Sequence, residues 1–352
     1  MAEPRLLRTS ERATYKRCRQ QWAWTFIDGY RVARPRPALE FGEMTHAALA
    51  TYYPPGRKRG PHPAATFKKM YASETRKAFS MRGEDEEWLD AGELGVAVLE
   101  HYVQHWGRDR HLEIIAPEHP FKIKLTDVGG QPFYYVGRFD ALGYDHDMEE
   151  YFVFEHKTAS SIPSGVHLAL DEQAGSYWAF APEVIRLLIK AGLIPPRHHT
   201  LGLDHILYNY LRKAKPTDKE TDENGHVLTK KGEISKRQPA AFFERMPVYR
   251  DEGDMQTMIL RIRQEAFEMR MVRDGKLPIF KNPAGGYPDR HCEACPFRDM
   301  CELHETKSDW KGYAMQNYVH GDAYSEYMED LFGRKEVKKN GRTSKTRTRI
   351  TK

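Results

Sequence analysis

Long hydrophobic runs are missing from this chain. No stretch of about 18 or more apolar residues occurs, mean hydropathy is -0.73, and 30% of the 352 residues are charged. That pattern argues against membrane spans. No apolar signal segment follows Met1, so a cytoplasmic location is the expectation. Internal repeats are absent, and so is the G-x-x-x-x-G-K-[ST] loop of a P-loop motor. Cysteine is scarce, with four in the whole chain, and without a secretion signal disulfides are the less favoured use for them. A general basic excess is missing too. The net charge is +5, but residues 333–352 carry +8 and leave residues 1–332 at -3. A nucleic-acid groove in the body therefore has to come from local clustering of cations.

What is present is enough apolar material for a sizeable core, 40% hydrophobic and 12% aromatic residues. We read residues 1–332 as one domain and 333–352 as a disordered basic tail, either a phosphate-binding arm or a solubilising terminus. Periodicity predicts a helix over Ser10–Phe26, with Tyr15, Cys18, Trp22 and Phe26 on one face. Further helices are expected over Leu39–Tyr53, Ala64–Ser80 and Glu87–Trp106, the last with a packing stripe of Leu89, Val96, Leu99, Val103 and Trp106. From Leu112 the period changes to strands: Ile114-Ile115 and Phe121–Leu125, a Gly129-Gly130 turn, then two strands within 133–160. A helix near Leu168–Ile189 and a strand over His205–Arg212 follow. Helix, three antiparallel strands, helix and strand make an α+β core. Residues 213–238 read as a protruding hairpin or a mobile loop, with Asn224-Gly225 as its turn. A strand near Ala241–Tyr249 precedes a helix near Asp254–Gly275, whose methionine stripe reads as core. A last helix is expected near Ala323–Leu331.

The most informative stretch is FYYVGRFDALGYDHDMEEYFVFEHKTAS, Phe133 to Ser160. Asp140 ends a G-R-F-D tetrad on the first strand, and Glu155 and Lys157 sit two apart on the second. Residues two apart share a strand face, so Glu155 and Lys157 point together and His156 points away. The short connection suggests an antiparallel hairpin that brings Asp140 near Glu155. Two carboxylates and an ammonium at one sheet edge make a candidate divalent-metal site with a catalytic lysine. A backbone carbonyl such as that of His156 would complete an oxygen set for Mg²⁺, and Mn²⁺ would also accept the imidazole of His46. The competing reading is an exposed salt bridge, because E-x-K is common.

The cysteines make a second constellation. Cys292-x-x-Cys295 is followed by Cys301, and Cys18 lies 274 residues before Cys292. Four thiolates suit one iron–sulfur cluster or one zinc ion. A third feature is aromatic and basic interleaving. Tyr52, Tyr53, Arg57, Lys58 and Arg59 follow the His46 helix, and Lys213 and Lys215 follow a late strand. These residues either stack bases and bind phosphates or form ordinary solvated loops.

The succession F-G-E-M-T-H, G-R-F-D, E-H-K-T and Q-x-x-x-Y resembles the PD-(D/E)XK nuclease superfamily, and within it RecB-type nuclease domains. The cysteine pattern is similar to iron–sulfur nucleases of the AddB type and the CRISPR-associated exonuclease family. The resemblance covers most of residues 10–305, with the core motifs inside 41–215. It implies a restriction-endonuclease-like core, a central mixed sheet flanked by helices, with a [4Fe–4S] cluster stapling the chain ends; zinc is the alternative. It assigns His46, Asp140, Glu155 and the His156 carbonyl to Mg²⁺ or Mn²⁺, and Lys157 to catalysis. Gln173 and Tyr177, at i and i+4 of a helix, match the element that shapes the site and contacts substrate. Cys18, Cys292, Cys295 and Cys301 would hold the cluster. Glu118 is a further candidate ligand that the sequence does not decide. The implied activity is metal-dependent phosphodiester hydrolysis of DNA, single-stranded or with free ends, as an exonuclease in recombination or repair. Any unwinding would come from a helicase or recombinase partner. The alternatives are a DNA-binding recombination or assembly factor that keeps the fold and acts through such a partner, and a zinc-stapled nucleic-acid adaptor without catalysis.

Overall fold

Two apolar faces on one set of strands dictate a layered structure. In the computed structural model, which describes residues 5–32, 37–82, 86–198, 202–215, 220, 227–283 and 291–333, both faces are covered by helices. The chain runs β1 (Leu6–Leu7), α1 (Thr9–Arg17), α2 (Arg19–Trp22), a π-helical turn (Ala23–Ile27) and β2 (Tyr30–Val32). Three helices follow, α3 (Pro37–Tyr52), α4 (Pro63–Arg82) and α5 (Glu86–Trp106). Next come β3 (Leu112–Thr126), β4 (Pro132–Asp145), β5 (Glu150–Ala159), a 3-10 turn (Gly165–Leu170) and α6 (Glu172–Lys190). The remainder is β6 (His205–Arg212), β7 (Phe243–Val248), α7 (Glu252–Arg273), α8 (Arg298–Glu305), α9 (Trp310–Asn317), β8 (Tyr318–His320) and α10 (Ser325–Phe332).

The sheet is mixed. Antiparallel β3 lines one edge of β4, while the opposite edge of β4 is shared. Parallel β1 pairs with Tyr134 and Tyr135, and antiparallel β5 pairs only from Ala141 to Asp145. Beyond that point β5 runs on beside parallel β6, which in turn pairs with β7. Residues 136–140 of β4 thus face an open fork. On β5 and β6, Val153, Ile206, Tyr208 and Tyr210 join the core under α6 and α7. Phe152, Phe154 and Leu211 face the core with α3, α4 and α5. This is the period-2 alternation of a doubly covered sheet. Among the described residues no helix is long and apolar enough to cross a membrane.

Several expected boundaries shift. The helix over Ser10–Phe26 is broken at Cys18, whose φ of -160° and ψ of 117° are extended, and the chain tightens into the π-helical turn. The break separates Cys18 from the helix face that the periodicity suggested. On α5 the expected stripe holds except at its start: Leu99 is buried, Val96, Val103 and Trp106 pack against the same core, Val98 and Tyr102 join them, and Leu89 is exposed. The two pieces expected in 114–125 are one strand, kinked by a register shift between Ile114 and Ala116. Cys301 lies on α8. In the charged insertion, the described residues show one antiparallel bridge, Leu228 to Ile234; Asn224-Gly225 lies outside the described residues. The expected tail, from Arg334 on, also lies outside them.

The two ends of the chain meet through backbone as well as side chains. β2 pairs antiparallel with β8, Tyr30 opposite His320. Gly29, at φ +72°, allows this approach, since a Cβ there would stand 3.1 Å from the Gly321 carbonyl oxygen. Asp127 is a second knot. Its carboxylate accepts the Gly129 and Gln131 backbone N–H groups of the β3–β4 turn and pairs with Arg5 at 3.1 Å and Arg270 at 2.8 Å. Burial alone would raise its pKa, but the Arg270 and Arg5 hydrogen bonds and the turn amides hold it at about 2. The depressed value means stability that is present above the unfolded pKa near 4 and lost as pH falls toward 2. Asp127→Asn is expected to cost about 2 kcal/mol at neutral pH and to flatten the stability profile between pH 4 and 2. Urea midpoints across that range check it, and an unchanged midpoint at neutral pH would contradict it.

Candidate active site

The site forms where β4 and β5 separate. Ala141 opposite Phe154 is the last paired step, and Asp140 and Glu155 are the first residues past it. Without its ladder partner, the His156 N–H would be an orphan donor in a buried strand. The Asp140 carboxylate replaces the missing backbone acceptor, with Oδ2 2.7 Å from the His156 nitrogen. N–H and C=O of one strand residue point the same way, so the His156 carbonyl is turned toward the same gap.

From the opposite flank, α3 brings His46 to this point, its Nδ1 3.3 Å from Asp140. Gly42, one turn earlier, lies against β5, where a Cβ would meet Thr158 Oγ1 at an ordinary contact distance of 3.4 Å. Burial alone would weaken the His46 imidazolium, but the Asp140 charge outweighs it and raises the His46 pKa. Asp140 is lowered in return, against its burial, chiefly by His46.

Glu155 and Lys157 share a face, as the two-residue spacing requires, and that face meets α6. Lys157 Nζ donates to Glu155 Oε1 at 2.7 Å and to Gln173 Oε1 at 2.5 Å. The Gln173 amide nitrogen donates to the same Glu155 oxygen at 2.6 Å and to Tyr177 Oη at 2.8 Å. Tyr177 in turn donates at 2.9 Å to the Arg138 carbonyl, one of the backbone acceptors of β4 exposed by the fork. Gln173 and Tyr177, four apart on α6, therefore tie both strands together. Asp171 fixes the start of that helix by accepting the Ala174 N–H at 2.8 Å and the Tyr208 hydroxyl at 2.5 Å.

The second oxygen of Glu155, Oε2, is buried with no hydrogen-bond partner. A lone buried carboxylate oxygen is costly unless something electropositive meets it. Burial, and then the Asp140 charge, push the Glu155 pKa up to about 7. Lys157 is raised, because Glu155 outweighs the effect of burial.

Glu118 adds a third carboxylate. The register puts it across from Asp140, between the Pro117–Ala141 and His119–Phe139 pairs, and its φ of +44° is a strained value for a non-glycine residue. Burial, followed by Asp140, pushes its pKa up to about 7, and Arg138 stands 3.7 Å away.

Behind the site lies a buried polar chain that the motifs did not indicate. His156 Nδ1 is 2.9 Å from the Asn209 side-chain nitrogen, and Asn209 donates at 3.0 Å to the Tyr102 hydroxyl. Tyr102 and Tyr53 are 2.8 Å apart, Tyr53 donates to Asp109 at 2.6 Å, and Asp109 pairs with Arg245 at 2.7 Å. Burial holds the His156 pKa down to about 3, so this imidazole is neutral and serves as an acceptor. An asparagine inside the otherwise apolar and aromatic HILYNYLR run was the available sequence signal. Tyr52 and Tyr53 are 4% and 1% exposed, which corrects both readings left open for them: they neither stack on bases nor sit in a solvated loop but pack in the core beneath α3. Lys213 lies 5.8 Å over the Phe41 ring, and Lys215 is 3.6 Å from Glu93.

None of the four cysteines is in a disulfide. Cys295 and Cys301 pack beside Trp24, Phe297 and Met300. Burial raises the Cys295 pKa, and the nearby thiols of Cys18, Cys301 and Cys292 raise it further. Sequence positions 18 and 292–301 are therefore neighbours in space. Among the described residues, no group of three or more His, Cys, Asp or Glu side chains is drawn together closely enough to hold a metal ion, here or at the strand fork.

The mixed sheet flanked by helices agrees with the chain's family relationship. The profile of the PD-(D/E)XK nuclease superfamily matches residues 9–302, and the chain belongs to that superfamily. No curated protein matches it. Among solved structures, a candidate exonuclease from Eubacterium rectale is similar over 83% of this chain and 93% of its own, at 10% identity and a TM-score of 0.40.

Because Asp140 is the second cause of the raised Glu155 value, Asp140→Asn is expected to bring the Glu155 pKa down from about 7 toward 4.5 while burial keeps it above that value. Carboxyl NMR titration reads this directly; an unmoved Glu155 titration would contradict the coupling.

Proposed function

We propose that the chain is a metal-dependent deoxyribonuclease, an exonuclease that hydrolyses phosphodiesters at DNA ends in recombination or repair. The observation that carries this reading is the buried, partnerless Glu155 Oε2 beside Asp140 and Lys157. The donor set fits a hard divalent cation: Asp140, Glu155 and the His156 carbonyl offer oxygens, with Glu118 and the His46 imidazole adjacent. Mg²⁺ or Mn²⁺ held there would supply charge neutralisation at the phosphoryl group and activation of water.

The protein's own part follows from the hydrogen bonds. Lys157, fixed by Glu155 and Gln173, presents an ammonium that stabilises negative charge developing on the phosphate. Its raised pKa keeps it charged in neutral solution. His46 anchors Asp140, and the neutral His156 holds the β5 backbone in place through Asn209. Gln173 and Tyr177 act as positioning groups for Glu155, Lys157 and the Arg138 backbone.

With end-labelled DNA and Mg²⁺ or Mn²⁺, the wild type is expected to release short products. Asp140→Asn and Lys157→Met are expected to lower the cleavage rate by at least about 100-fold, with DNA affinity retained. Cleavage by Lys157→Met at the wild-type rate would overturn the assignment. Retained DNA binding with no cleavage by the wild type would favour the non-catalytic assembly factor.

For the cysteines we propose a [4Fe–4S] cluster, with zinc as the alternative. The support is chemical: Cys295 and Cys301 pack among aromatic side chains, and Cys18 and Cys292 stand near enough to shift their ionisation. Soft thiolate donors suit either group. Anaerobically purified protein is expected to be brown, with broad visible absorption that reductant bleaches and that Cys295→Ser lacks. Colourless protein carrying stoichiometric zinc would refute the iron–sulfur reading.

A further inference from the structure

The loop after α3 and the turn between α5 and β3 enclose a basic cavity of about 470 Å³, lined by Arg57, Lys58, Arg59, Arg108 and Arg110. Arg59 is committed to the fold. Its guanidinium donates to the Leu112 carbonyl at 2.9 Å and to the Asp109 carbonyl, and it lies 4.8 Å over the Tyr53 ring. Arg57 Nε donates to the Arg110 carbonyl at 2.7 Å, which locks the two turns together. The remaining charge is not spent. Arg57, Lys58, Arg108 and Arg110 are exposed, and among the described residues none of them has a carboxylate partner. The acid in their midst, Asp109, is buried and already bidentate with Arg245 at 3.0 and 2.7 Å. Four like charges are thus held against one another on a rigid floor, in a body whose own net charge is -3 over residues 1–332.

We propose that this cavity is a remote backbone-phosphate site for the nucleic acid being cut. The inference rests on the nuclease reading above. Leu112 is paired with Asp145, five residues along β4 from Asp140. At strand rise that is about 17 Å from the fork. A B-form strand advances 3.4 Å per nucleotide, so DNA laid from the fork along β4 would meet the cavity about five nucleotides from the scissile bond. Substrate that reaches that far gains affinity; shorter substrate does not. The site therefore sets a length preference without touching the reacting atoms.

The test uses the full chain, basic tail included, and the double variant Arg57→Ala/Arg108→Ala. Binding of fluorescent DNA extending about four or about 12 nucleotides from the cut end is measured by anisotropy in Ca²⁺, from 50 to 200 mM salt. For the long DNA, the slope of log K against log salt is expected to shrink by about 1 to 2. For the short DNA, slope and affinity stay unchanged, as does cleavage of the short DNA in Mg²⁺. Arg57→Lys/Arg108→Lys keeps the wild-type slope. An unchanged slope on long DNA, or an equal loss on both lengths, overturns the proposal. Displacement of DNA of both lengths alike by pyrophosphate, abolished in the double variant, also overturns it in favour of a small-anion site. Failure of the wild type to cleave either DNA is a failure of the nuclease reading instead, and the length-dependent binding is read independently of it.

Discussion

A single separation of two strands organises this protein. β4 and β5 pair from Asp145 back to Ala141 and then diverge, β5 to β6 and β4 to β1. Such a fork leaves backbone groups of both strands without ladder partners inside a covered sheet. The molecule fills the opening with side chains: Asp140 takes the His156 N–H and Tyr177 gives a hydrogen bond to the Arg138 carbonyl. The groups that repair the fork are the ones that make the site. Removing them is therefore a structural as well as a chemical change, so Asp140→Asn, which keeps an acceptor for His156, is a cleaner probe than truncation.

The same fork explains the electrostatics. It gathers Glu118, Asp140 and Glu155 around a half-buried opening, and among the described residues Lys157, His46 and Arg138 oppose them. Two of the carboxyls consequently sit at about 7. A cation bound there, as proposed, would release protons and remove the repulsion between the acids. The surrounding frame is stiff. The Tyr53–Tyr102–Asn209 chain backs His156, the Gln173–Tyr177 pair clamps both strands, and the β2–β8 ladder ties the N-terminal segment to the C-terminal elements.

Much of the centre was legible in the sequence, for physical reasons that can be named. Two-residue spacing fixes the shared face of Glu155 and Lys157, a four-residue connection forces Asp140 back toward them, and four-residue spacing puts Gln173 and Tyr177 on one side of α6. What was not legible depends on irregularity. Glu118 reaches Asp140 only because β3 slips register between Ile114 and Ala116, which alternation does not encode. The helix break at Cys18 is hidden because the apolar spacing continues through it. β1, β2 and β8 are two or three residues long, too short for any pattern. Tyr52 and Tyr53, beside basic residues, read either as a stacking platform or as solvated loop, yet burial in the α3 core claims both rings and leaves the cations outside.

The central claim is that the open fork holds a divalent cation between Asp140 and Glu155. Crystals of the wild type soaked in Mn²⁺, with anomalous scattering recorded at the manganese edge, test it most directly. The predicted result is a single strong peak about 2.0 to 2.3 Å from the Asp140 carboxylate and Glu155 Oε2, absent in Asp140→Asn. Saturating Mn²⁺ that leaves Glu155 Oε2 without a ligand, or a peak elsewhere on the molecule alone, would contradict it.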